Sequence, residues 1–169
     1  MTTDEIKALV VSKANQYGIN PNIALAQIQR ESGFNPRAVG AAGERGLAQF
    51  MRGTWEQYGA GSFDNAFDEN ANLDAWGNYM AALMGMFSGD YTKALTAYNG
   101  GPGHLTDPGR YGPPSAAARA YAEAITTQAG FGPGSVVNLD AVEVGPASGF
   151  PLWLLLGGGL LIAIVVLND

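Results

Sequence analysis

Leu73, Trp76, Met80, Leu83, Met84 and Phe87 fall three and four residues apart. That is the period of an amphipathic helix and not of a strand, and it predicts a helix over roughly residues 69–88. No segment before Gly130 alternates with the period of two that a half-buried strand requires. The globular part of the chain is therefore expected to be all-α, with helices packed on helices.

Local signals divide the rest of this part into further helices. Thr3 or Asp4 can cap a first one, whose Ile6, Leu9, Val10 and Ala14 share a face and which Gly18 can stop. Asn20-Pro21 reads as an N-cap followed by proline at the first helical position, opening a second helix that runs to about Glu31 with Ile23, Leu25 and Ile28 available for burial. Ser32-Gly33 breaks it, and Asn35-Pro36 prevents continuation, because the residue before proline avoids the α region. Gly40, Gly43 and Gly46 punctuate the loop that follows. A short helix is expected around Thr54–Tyr58, ended by Gly59 and Gly61. Asp90 can cap DYTKALTAYN, and Ser115 can cap SAAARAYAEAITTQA, which Gly130 ends.

Beyond that domain the composition changes. Residues 131–149 hold several Gly and Pro and only two charges, which reads as a linker. Phe150 to Leu167 is uncharged throughout. At ~1.5 Å per residue it reaches about 27 Å, close to the hydrocarbon thickness of a bilayer. A buried core helix would need a less glycine-broken sequence than FPLWLLLGGGLLIAIVVL, whereas small residues are well tolerated in transmembrane helices. The expected organisation is a helical domain over 1–130, a linker over 131–149, a C-terminal transmembrane helix over 150–167 and a two-residue tail. Neither flank of the span carries Lys or Arg, so charge does not set its orientation. The N-terminal MTTDEIKALVVSKANQYG lacks the basic and continuous apolar regions of a signal peptide. Export, if it occurs, would use another route.

The net charge of −6 is unevenly placed, since all nine Lys and Arg lie at or before Arg119. No basic face is offered to nucleic acid. The absence of cysteine rules out disulfides and thiolate metal sites. His104 stands alone in a Gly/Pro-rich loop and is expected to be solvated; no metal or cofactor is implied. Met80, Met84 and Met86 read as core or near-core filling, and Trp55 and Trp76 as either core or sugar-stacking surfaces.

One carboxyl stands out. Glu31 sits where a helical apolar pattern ends against a glycine-rich loop, which is how a general acid can be mounted. Apolar surroundings would raise its pKa and keep it protonated. From pattern alone the alternative is a solvated glutamate paired with Arg30 or Arg37.

The motifs around Glu31 narrow this choice. Glu31-Ser32-Gly33-Phe34-Asn35-Pro36, then Gly46-Leu47-Ala48-Gln49-Phe50-Met51, then Ala97-Tyr98-Asn99-Gly100-Gly101 occur in the order and spacing of the soluble lytic transglycosylase family. The chain resembles that family over about residues 5–125. The resemblance implies a goose-type lysozyme-like fold, peptidoglycan glycan strands as substrate and no cofactor. It assigns Glu31 as catalytic acid/base, Gln49 and Met51 as cleft residues contacting the sugar chain, Tyr98 and Asn99 as the A-Y-N pair with the tyrosine hydroxyl near the carboxyl, and Tyr121 as a further cleft tyrosine. Phe34 is expected to pack. This sequence departs from the family at Gly40, where many relatives carry a serine aimed at the reaction centre, at Arg52 in place of a proline, and at Ala48 in place of a methionine.

The implied chemistry uses one carboxyl twice. Glu31 protonates the oxygen between N-acetylmuramic acid and N-acetylglucosamine; as carboxylate it then deprotonates the muramoyl C6 hydroxyl, which closes on the anomeric carbon to give a 1,6-anhydro sugar. Ordinary glycosidases add a second carboxylate. Asp64, Asp68, Glu69 and Asp74 come nearest to that role here, each more simply a cap or a solvated acid. The competing readings are a muramidase on the same fold and a weakly active peptidoglycan-docking membrane protein. A muralytic domain on a tail anchor fits a virion protein of a phage with an internal membrane, opening the host wall during genome entry beside other virion or envelope proteins. The other setting is a bacterial envelope or secretion-associated transglycosylase.

Overall fold

The structure is a computed structural model that describes residues 1–131; the linker expected over 131–149 and the span expected over 150–167 lie, apart from Phe131, outside the described residues. Helix α1 is Thr3–Gln16, α2 Pro21–Ser32, α3 Arg52–Tyr58, α4 Glu69–Met86, α5 Tyr91–Gly100, α6 Gly103–Thr106, α7 Pro108–Tyr111 and α8 Ala116–Gln128, with a 3-10 helix at Phe63–Phe67 between α3 and α4. Among the described residues the only β pairing is two isolated bridges, Val39 with Arg45 and Arg45 with Phe50. None of the described helices is long and apolar enough to cross a membrane.

Capping chemistry explains most of the boundaries. Thr2, one residue before the expected caps, starts α1: its hydroxyl accepts from Glu5 N–H, and Glu5 Oε2 accepts from Thr2 N–H. The Thr-x-x-Glu box satisfies two end donors at once, which neither Thr3 nor Asp4 can do. Asn20 Oδ1 accepts from Asn22 N–H at 2.8 Å, with Pro21 at the first helical position. Gly33 ends α2 in the left-handed conformation, φ +60°, a backbone state that costs glycine nothing. Asp68, Asp90 and Ser115 cap α4, α5 and α8. The 3-10 helix and the one-turn helices α6 and α7 occupy stretches rich in Gly, Pro and Asp, where no helical period exists to betray them.

Helix α4 runs through the middle of the domain and packs against α1, α3 and α5, while α8 closes over α2 and α5. Leu73, Trp76, Met80 and Leu83 are fully buried along it. Each such side chain contributes about 1.5–3 kcal/mol when taken from water. Trp55 and Trp76 are both core residues, at 1% and 0% exposure, so neither offers a stacking face to sugar. Met86, expected in or near the core, is half exposed at the helix end. His104 is half-buried, with Nδ1 3.1 Å from Gly112 O and its ring against Tyr111, because α6 and α7 fold the Gly/Pro loop back on itself.

The glycine-rich loop is held on this scaffold by one polar side chain. Asn72, buried in α4, donates through Nδ2 to Ala66 O at 2.8 Å and Arg45 O at 3.3 Å, and its Oδ1 accepts from Ala48 N–H at 2.9 Å. Gly46 makes that approach possible. It has φ +76°, and a Cβ there would collide with Ala66 O and Asn72 Nδ2. Leu47 and Ala48 are thereby driven fully into the core.

Candidate active site

Glu31 lies in the last turn of α2, half-buried, with α8 across from it. The Tyr121 hydroxyl, from α8, donates to its Oε1. A directed chain of hydrogen bonds stands behind this contact. Trp76 Nε1–H can only donate, and it donates to Gln27 Oε1 at 3.0 Å. The Gln27 amide is oriented by that bond, so Nε2 faces Tyr121 and donates to its hydroxyl oxygen at 3.2 Å. With its oxygen already accepting, the Tyr121 proton is turned towards Glu31. Three buried residues from α2, α4 and α8 thus fix where one hydroxyl hydrogen points.

The electrostatics of Glu31 follow from this surrounding. Desolvation raises its pKa from 4.5 to about 7; the Tyr121 hydrogen bond and the Arg30 charge act the other way, and Glu44 adds a smaller push upward. Burial wins, so near neutrality the carboxyl exists in both proton-donating and proton-accepting forms. That is the working range of a general acid–base. Burial and the Glu31 charge raise the Tyr98 and Tyr121 hydroxyls well above their ordinary value, keeping both as donors.

The other expected site residues fall into two groups. Gln49 adopts φ +50°, unusual for a residue with a side chain, and both its amide hydrogens hold the loop: Nε2 donates to Gly46 O at 2.9 Å and Ala38 O at 3.3 Å. Tyr98 does not bond the carboxyl. Its hydroxyl donates to Ala48 O at 2.8 Å, because the loop carbonyl presents an acceptor there, and the hydroxyl that reaches Glu31 is that of Tyr121. Tyr98 also stacks on Tyr79 at 5.1 Å, which stacks on Tyr58 at 4.6 Å, giving a row of three tyrosines beside the loop. Met51 and Asn99 are on the surface, Met51 at 46% exposure as N-cap of α3. Phe34 packs, at 6% exposure with φ +65°.

Each of the four acids weighed as a second carboxylate has another partner. Asp64 pairs with Arg45, Asp68 caps α4, Glu69 lies 4.0 Å from the N-terminal amine, and Asp74 accepts from Lys13 Nζ and the Tyr17 hydroxyl. Sequence reasoning missed Gln27, Trp76 as a hydrogen-bond donor, Asn72 and Glu44. A polar residue on the apolar face of a helix, as Gln27 is, was the one signal available.

An all-helical domain that mounts one desolvated carboxyl at a helix end, against a loop pinned by its own glutamine, has the build of an acid–base site on a lysozyme-like scaffold. The Transglycosylase SLT domain family matches residues 8–119, and the chain belongs to that family. It is 34% identical to the membrane-bound lytic murein transglycosylase C of Sodalis glossinidius and 33% identical to that of Cronobacter sakazakii, in each case over 57% of this chain and 31% of the relative. The chain thus spans about a third of the length of these curated relatives. Among solved structures, an inactive mutant of the lytic transglycosylase Slt from Pseudomonas aeruginosa superimposes with a TM-score of 0.61 at 24% identity, covering 72% of this chain and 23% of that one. The 70 kDa soluble lytic transglycosylase of Escherichia coli gives 0.60 at 22% identity, over 75% and 23%. These likenesses establish the fold.

Proposed function

We propose that this chain is a peptidoglycan lytic transglycosylase, cleaving the bond between N-acetylmuramic acid and N-acetylglucosamine with formation of a 1,6-anhydro sugar. The observation that carries this reading is the Glu31 carboxyl, held near neutral pKa by burial and contacted at Oε1 by a hydroxyl whose direction is fixed from behind. With Oε1 engaged by Tyr121, Oε2 is the oxygen left to carry the proton. It delivers that proton to the glycosidic oxygen; the bond to the anomeric carbon breaks with its electron pair going to the departing sugar. The carboxylate so formed accepts the C6 hydroxyl proton as that oxygen closes on the anomeric carbon. Tyr121 donates more strongly to the anion than to the acid, so it stabilises the charge that forms on Glu31. Gln49, Met51, Tyr98 and Asn99 are assigned to the glycan-binding cleft. Digestion of purified sacculi, with mass spectrometry of the products of wild type and Glu31→Gln, tests the assignment.

The same proposal extends to setting. Residues 150–167 anchor the domain to a bilayer, so that it acts on wall adjacent to its membrane; the uncharged run supports this. The setting we favour is a phage virion with an internal membrane, where local wall opening accompanies genome entry. Its basis is the joining of a muralytic domain to such a tail. The named relatives are membrane-bound bacterial enzymes, which keeps the bacterial envelope as the competing location. Detection of the protein in purified particles rather than only in host membranes decides between them.

A further inference from the structure

Three arginines converge on two phenylalanine rings beside the loop that carries Gln49. The Arg45 guanidinium lies 4.4 Å from the centroid of Phe63 and 5.2 Å from that of Phe67. Arg52 lies 4.9 Å from Phe63, and Arg37 5.8 Å from Phe67. All four distances fall inside the range over which an aromatic ring holds a cation. Stacking covers a face of a guanidinium and leaves its N–H edge outward, the edge that matches a carboxylate.

Charge is not balanced within this cluster. Asp64 Oδ1 pairs with Arg45. Among the described residues neither Arg37 nor Arg52 is in an ion pair, and both are exposed. Two further cations are thus held around the Arg45–Asp64 pair, in a chain whose net charge is −6. Like charges gathered on one surface attract an anion to it.

The backbone ties the cluster to the cleft loop. Arg45 and Phe50 exchange N–H to O bonds of 3.0 Å, and Arg45 O also accepts from Asn72 Nδ2. Ala38, next to Arg37, accepts from Gln49 Nε2 at 3.3 Å. Arg52 directly follows Met51 and opens α3. The arginines therefore flank Gln49 and Met51, the residues assigned to the glycan cleft. Arg52 is also a position where this sequence departs from the family pattern, so the cluster is completed by a residue of this chain's own.

The substrate defines which anion such a loop meets. In intact strands both sugars are uncharged, because the muramoyl lactyl group is engaged in an amide. The carboxylates belong to the stem peptide that hangs from it. We propose that Arg37, Arg45 and Arg52 bind stem-peptide carboxylates, so that this enzyme selects glycan carrying acidic stems. The inference rests on the peptidoglycan transglycosylase reading of the cleft. No bond is made or broken at the cluster; it lowers KM and leaves the chemistry at Glu31 unchanged.

Soluble peptide-bearing strands, and the same strands with their stem carboxylates converted to amides, are compared as substrates at one ionic strength. The full-length wild type is expected to show a KM at least ~10-fold higher on the amidated strands, with kcat within about twofold. Arg37→Gln combined with Arg52→Gln is expected to raise KM on the acidic strands to a similar degree and to leave turnover of the amidated strands as in wild type. Each substitution alone is expected to give part of this change, so the result does not hang on the folding of the double variant. A merely structural role would affect both substrates alike. Equal KM on the two substrates in wild type overturns the inference, and anhydro ends released from both leave the transglycosylase reading standing. A preference for acidic strands that survives in all three variants overturns it as well. Release from neither substrate by wild type overturns both.

Discussion

The Tyr121 hydroxyl donates to Oε1 of Glu31 across a sequence separation of 90 residues, joining the last long helix of the domain to the end of its second. That bond favours the ionised carboxyl, against a larger desolvation that favours the acid. Tyr121→Phe should therefore move the Glu31 pKa upward. A hydrogen bond to a charged group is worth about 1.5–3 kcal/mol, so the shift should be about 1–2 pH units. The alkaline limb of the pH–activity profile reads it, and a limb that stays in place or moves down would contradict the geometry.

Glu31 also makes stability depend on pH in a defined direction. Its folded pKa, about 7, lies above the ordinary 4.5. Between these values the folded state keeps a proton that the unfolded state has lost, so this contribution is complete below about pH 4.5 and declines as pH rises to about 7. The loss is at most about 3 kcal/mol at ~1.36 kcal/mol per unit. Glu31→Gln should remove this decline, and with it the stability difference from wild type should grow in the variant's favour on going from about pH 5 to about pH 8. Urea unfolding at the two pH values gives the comparison.

Gln27 transmits orientation from Trp76 to Tyr121. Gln27→Leu leaves the Trp76 N–H without its acceptor in a dry interior and frees the Tyr121 hydroxyl to rotate. We expect about 1–3 kcal/mol of destabilisation and a fall in kcat larger than any change in KM. Trp76→Phe removes only the distal donor and should have the milder effect on kcat. Steady-state kinetics on both variants, beside thermal melts, separates orientation from folding.

Much of the fold was legible because its cues are local. Asn20-Pro21, Gly33, Asp90 and Ser115 mark helix ends by capping, and the Leu73–Phe87 period marks the central helix. The candidate site was proposed from Glu31 and the motifs around Gln49 and Tyr98. What escaped depends on three-dimensional complementarity. The Glu44 carboxylate lies over Gly40, which has no side chain to exclude it, and no pattern within the loop states that the one fills the space of the other. Tyr121 rather than Tyr98 meets Glu31 because Ala48 O captures the Tyr98 hydroxyl, and that carbonyl is placed by Asn72, 24 residues away.

Asn72 should accordingly be one of the least replaceable polar residues. Asn72→Leu strands the Ala48 N–H and the Ala66 carbonyl in the interior, and two unsatisfied buried groups cost about 2–6 kcal/mol together. Denaturant unfolding should show a loss in that range with activity falling in parallel, as the loop carrying Gln49 comes loose. A variant as stable as wild type would mean that the loop is held by other contacts.

The most direct test of Glu31 as the acid is the product spectrum of purified sacculi treated with wild type and with Glu31→Gln. The wild type should release muropeptides bearing 1,6-anhydro ends, and Glu31→Gln should release them at least ~1,000-fold more slowly while remaining folded. Comparable release by Glu31→Gln, or wild-type products with no anhydro ends, would contradict the account.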